Sequence, residues 1–145
     1  MSEETVVREF YEYERVKEIV NGLDHKARKL IKYAELLVPV SEDLKVYGKN
    51  LFNKGEGIKK ELYFFTKDKI YLIKETNAGI DYQILYVKNI RNIEYKISDN
   101  DEKVVILRVE FSNSEIVEMK SVDDSGTASI ETYRDTIQSI LQTLI

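Results

Sequence analysis

The chain has 145 residues, 43% hydrophobic and 33% charged, with one proline, six glycines and a formal net charge of −4. That length and balance fit one folded domain burying roughly 70% of its unfolded surface, and they exclude disorder, collagen-like repeats and low-complexity arrays. The lack of cysteine excludes a disulfide framework, a thiolate nucleophile and a cysteine-held metal, and the lone His25 excludes a histidine cage.

Met1-Ser2-Glu3-Glu4 opens acidic with no apolar run behind it, so no secretory leader is expected. No stretch reaches the roughly 18 apolar residues of a membrane span, and a cytoplasmic location follows as the expectation. The Lys- and Ile-rich, Ala-poor composition suits an AT-rich bacterial genome. Both ends of the chain are acidic and the middle is basic.

The first third has helical periodicity. Val6, Val7, Phe10, Tyr13, Val16 and Val20 fall near a 3.6-residue repeat, and Asn21-Gly22 supplies a left-handed stop. Asp24 then caps a second helix whose stripe is Ala27, Leu30, Ile31, Ala34 and Leu37, ended by Pro39. The expected product is a helical hairpin over residues 3–37, within an N-terminal unit of residues 1–40 docked on a main domain of residues 41–145. Such a hairpin cannot bury its stripes alone and must dock on the rest of the chain or on another copy.

From residue 44 the period changes to two. Strands are expected at 44–51, 59–66, 69–75, 80–87, 90–97, 103–112 and 115–122, separated by turn-forming clusters such as Lys67-Asp68, Asn77-Ala78-Gly79 and Ser112-Asn113-Ser114. Val122-Asp123-Asp124-Ser125-Gly126 reads as an acidic turn. Beyond it the period returns to 3.6, and Ile130, Tyr133, Ile137, Ile140, Leu141 and Leu144 give a last helix over about 128–144. The expected fold is therefore α+β: a seven-stranded antiparallel curved sheet or barrel, a capping C-terminal helix and an N-terminal helical hairpin.

Three segments carry a resemblance. Tyr63-Phe64-Phe65-Thr66-Lys67-Asp68-Lys69-Ile70-Tyr71-Leu72-Ile73, Ile84-Leu85-Tyr86-Val87-Lys88-Asn89-Ile90-Arg91-Asn92-Ile93 and the hairpin Ile106–Val117 are similar to segments of the bacterial branch of the pleckstrin-homology-like superfamily. The resemblance covers residues 44–145 and leaves the helical hairpin outside it. It implies a seven-stranded core closed by a helix. It also implies that basic residues around the first β-hairpin are the place to look for anion binding.

That hairpin carries Lys49, Lys54, Lys59 and Lys60, which form the candidate site for phosphate or an anionic membrane lipid. No arginine lies between Arg28 and Arg91, so bidentate phosphate recognition is missing. The bland reading is a solvated hairpin whose lysines discourage edge pairing. His25 has neither a nucleophile nor an oxyanion site to serve, and Asp99 with Asp101 or Asp123 with Asp124 lack the spaced oxygens of a calcium loop. Gly55-Glu56-Gly57 precedes no helix and reads as a turn. Tyr63, Tyr71, Tyr82, Tyr86 and Tyr95 read as packing residues in an acidic chain ill-suited to nucleic acid. The expectation is a non-enzymatic protein-interaction module without cofactor or metal, its partner another protein or a second copy, with anionic lipid or phosphate binding as the alternative.

Overall fold

The structure is a computed structural model and describes residues 11–39, 44–53 and 57–145. Residues 3–10 of the expected first helix, and Lys54 and Gly55 of the first β-hairpin, lie outside the described residues. Two helices come first, α1 (Tyr13–Asn21) and α2 (His25–Leu37). Seven strands follow: β1 (Lys45–Lys49), β2 (Glu61–Phe65), β3 (Lys69–Glu75), β4 (Ile80–Tyr86), β5 (Ile90–Ile97), β6 (Val105–Phe111) and β7 (Ile116–Lys120). A short helix α3 (Ser121–Ser125) and the long α4 (Ile130–Leu144) complete the chain.

The turn chemistry explains the boundaries. Asp24 accepts a hydrogen bond from the Ala27 N–H at 3.0 Å to start α2, and the Ser129 hydroxyl accepts from Thr132 N–H at 3.2 Å to start α4. Gly22 ends α1 as expected but in a right-handed conformation, φ −89°, with its N–H donating to the Ile19 carbonyl and the Leu23 N–H to the Val20 carbonyl. The left-handed stop is thus corrected: the chain turns within right-handed backbone because Asp24 restarts a helix at once.

The seven strands form two antiparallel sheets rather than one. The first has the order β1-β2-β3-β4 and the second β5-β6-β7, and they do not close into a barrel. The break has a local cause. After Tyr86 the chain makes a 3-10 turn over Val87–Asn89, held by Val87 N–H to the Asp68 carbonyl and Ser112 N–H to the Asn89 carbonyl, which starts β5 in another direction. At the other side a side chain spans the gap, where the Lys49 ammonium donates to the Glu118 carbonyl of β7 at 2.9 Å.

The first sheet is buried on both faces. On β2, Leu62 and Phe64 face the helical hairpin, while Tyr63 and Phe65 face the second sheet and α4. On β3, Tyr71 and Ile73 face the hairpin, and Ile70 and Leu72 face inward. This is why 62–65 and 70–73 are continuous apolar runs instead of the expected alternation. Strict alternation survives in β6, where Val105, Leu107, Val109 and Phe111 are buried and the residues between them half-buried. Across the inner layer lies α4, burying Tyr133, Ile137 and Ile140.

Most of the described part of both hairpin stripes is spent within the chain. Val16, Val20, Ala27, Leu30, Ile31 and Ala34 are all buried in the cluster that holds Leu62 and Phe64. What α2 leaves exposed lies at its C-terminal end, Leu36 and Leu37. No helix among the described residues is long and apolar enough to cross a membrane.

Candidate functional site

The expected lysine site does not assemble. Lys60 is 5% exposed, and its ammonium donates to the Leu51 carbonyl at 2.9 Å, the Asn50 carbonyl at 3.2 Å and the Asn53 carbonyl at 3.4 Å, with Asp24 at 3.8 Å. It closes the turn after β1 from below. Lys49 is spent on Glu118 and lies 3.9 Å from Asp124. Of the described candidates only Lys59, half-buried at the rim of a cleft, has no ion pair or side-chain hydrogen bond among the described residues, and Lys54 lies outside them.

A buried polar cluster was not visible in the sequence. The acidic turn is in fact α3, and Asp124, 1% exposed, is turned inward. Its carboxylate accepts from the Tyr47 hydroxyl at 2.5 Å and from Lys120 N–H at 2.7 Å. Burial pushes the Asp124 carboxyl above its ordinary value, partly offset by those two donors. Burial and the Asp124 charge push the Tyr47 hydroxyl well up, and Tyr133, whose hydroxyl donates to the Gly48 carbonyl at 2.6 Å, is raised mainly by burial. These groups are enclosed and their hydrogen bonds are satisfied, so they act as a structural core of polar atoms.

Besides a cleft of about 700 Å³ between Leu23, Ile58 and Thr127, two surface features stand open among the described residues. The first is a cleft of about 460 Å³ between the first turns of α2 and the β3–β4 turn, lined by His25, Lys26, Lys29, Lys59, Glu75 and the Thr76–Gly79 turn over Leu30 and Ile80. Thr76 fixes that turn, its N–H donating to the Gly79 carbonyl at 2.8 Å and its hydroxyl accepting from Gly79 N–H at 3.1 Å. Among the described residues Lys26, Lys29 and Lys59 have no carboxylate within ion-pair distance, unlike Lys17, Lys60, Lys74 and Lys120.

The second is the β4 edge. Its sequence, IDYQILY, carries the single charge of Asp81, and among the described residues β3 is its one strand neighbour. Ile84 and Tyr86 stay 38% and 43% exposed on the face where Tyr82 stacks on Tyr71 and donates to the Leu37 carbonyl at 2.9 Å. Lys69 and Lys88 lie over the Tyr86 ring at 5.7 and 5.9 Å from its centroid. By contrast β5 carries Arg91, Glu94 and Lys96 along the edge of the second sheet. Among the described residues no three His, Asp or Glu side chains converge as a metal-binding group.

A family model described as protein of unknown function (DUF3908) matches residues 12–134. The chain belongs to the DUF3908 family. The DUF3908 match runs without a break across residue 40, the boundary expected between hairpin and sheets, and takes in both open features. No curated protein and no solved structure matches the chain.

Proposed function

We propose that this DUF3908 protein is a non-enzymatic protein-interaction module of the bacterial cytoplasm, built on a pleckstrin-homology-like core. Support for the core comes from the two consecutive meanders, β1 to β4 and β5 to β7, followed by a helix packed on their inner layer. The Lys- and Ile-rich composition supports a bacterial source.

The observation that carries the interaction role is the unguarded β4 edge. Exposed edge strands are normally blunted by charge, proline or a bulge, because an open row of backbone N–H and C=O groups templates pairing with another chain. β5 has that protection and β4 lacks it. An extended segment of a partner, or β4 of a second copy, adds to the first sheet there, covers Ile84 and Tyr86 with its own apolar residues, and sets acidic residues near Lys69 and Lys88.

Sedimentation equilibrium of the full chain and selection of extended peptides from a random library test this. The reading expects self-association, or selected peptides, that slow amide exchange in β4, and loss of either in Ile84→Lys at an unchanged melting temperature. A chain that stays monomeric at high concentration and selects no peptide at β4 would overturn it.

A further inference from the structure

The cleft beside α2 touches β4 only at its first residue, Ile80, away from the exposed Ile84 and Tyr86, and does not rest on the partner reading. We propose that it binds a small organic phosphate, an ester whose phosphoryl oxygens are held by Lys26, Lys29 and Lys59.

Three elements build the site: α2 supplies Lys26 and Lys29 with His25, the segment before β2 supplies Lys59, and the end of β3 with its turn supplies Glu75 and Thr76–Gly79. Two lysines of α2 and one from a segment 30 residues further along the sequence line one concavity of a chain whose net charge is −4. Like charges gathered without acidic partners repel one another, and an anion between them relieves that cost. One carboxylate, Glu75, faces them, and its Oε1 is buried without a hydrogen-bond partner. Glu75 makes no ion pair with the three lysines, and its charge opposes an anion bound between them.

Size decides the class of anion. A cleft of about 460 Å³ exceeds the needs of a single inorganic phosphate and lies within the range of small-molecule sites. The apolar floor of Leu30 and Ile80 would support the ester's carbon portion. Lysines hold phosphate as point charges, so binding here is electrostatic and weakens with salt.

The test is calorimetric titration of the full chain with pyrophosphate and with glucose 6-phosphate, run beside sedimentation with phosphatidylglycerol vesicles and phosphatidylcholine controls, at low and physiological salt. Binding of the free ester assigns a soluble ligand. Binding of phosphatidylglycerol vesicles alone assigns a lipid headgroup to the same cleft. In either arm Lys29→Glu with Lys59→Glu should weaken binding about tenfold or more, and Glu75→Gln should tighten it severalfold. Lys67→Glu, in the β2–β3 turn at the opposite end of the first sheet, should change nothing. All four side chains are at least partly exposed, so circular dichroism of the variants should match the parent. The proposal is overturned if no phosphate probe binds at low salt. It is equally overturned if Lys67→Glu weakens binding as much as the cleft variants, or if Glu75→Gln leaves affinity unchanged.

Discussion

Lys60 shows how one side chain can look like a surface charge in sequence and be part of the interior in space. Its ammonium satisfies three carbonyls of a turn that begins ten residues earlier. Lys60→Met keeps the apolar stem, strands those carbonyls, and should cost about 2 kcal/mol in urea unfolding. Gly126 is the opposite case, a position where nothing can be added. Its φ is +55°, and a Cβ there would sit 2.7 Å from the Phe52 carbonyl carbon and 2.8 Å from the Asn53 nitrogen, both rigid backbone. Gly126→Ala should therefore cost about 3 kcal/mol, read from the same unfolding curves. Asp124 links stability to pH. Its carboxyl is raised above 3.8 in the folded state, so the native protein holds a proton that the unfolded chain has released, and this contribution falls as pH rises from about 4 through the folded pKa. Asp124→Asn should remove that fall relative to the parent when urea midpoints are compared across the acid range. Tyr47, Tyr63 and Tyr133 act at the alkaline end. Their hydroxyls are raised above 10.0, so the folded state keeps protons that the unfolded state loses, and stability drops as pH rises beyond about 10. The share of tyrosinate absorbance that these three buried rings contribute should rise in one cooperative step together with loss of circular dichroism; its gradual rise while the protein stays folded would contradict this.

At the scale of elements, the helical hairpin acts as a wall of the core. Removing residues 11–43 would bare Leu62, Phe64, Tyr71 and Ile73, so a chain beginning at Leu44 should bind hydrophobic dyes and lose its cooperative melt. Ile137 is fully buried on α4, and Ile137→Asp should cost about 4 kcal/mol or prevent folding, against a small effect for the exposed Gln142→Asp. Most elements were legible in sequence because each announces itself locally. β3 and β5 fall where alternation and turn residues put them, and Asp24 caps the helix it precedes. α3 was missed because five residues with two adjacent aspartates carry no helical period, and its inward Asp124 depends on Tyr47, 77 residues away. The sheet break at Val87–Asn89 depends on distant backbone partners in the same way, Asp68 and Ser112. The lysine site failed for a further reason: spacing in sequence reported a hairpin, whereas the lysines that line one cleft come from α2 and from Lys59.

Across the whole molecule, the first sheet joins two cores through its own thickness, since β2 and β3 present alternate side chains to the hairpin cluster and to the inner cluster. Loss of either cluster exposes the same strands, so thermal unfolding should be a single transition, with the slowest amide exchange in β2 and β3. Two separate transitions, or faster exchange in β2 than in β6, would contradict that picture. The contact between Tyr133 and Gly48, 85 residues apart, has a further implication for how the protein is made. Translation delivers the first sheet well before the second sheet and α4, and until these have emerged from the ribosome the inner face of that sheet lacks its cover over Tyr47, Phe65 and Leu72. The growing chain must wait with a sticky surface and a bare β4 edge, which makes it a natural client for chaperones that shield nascent hydrophobic segments.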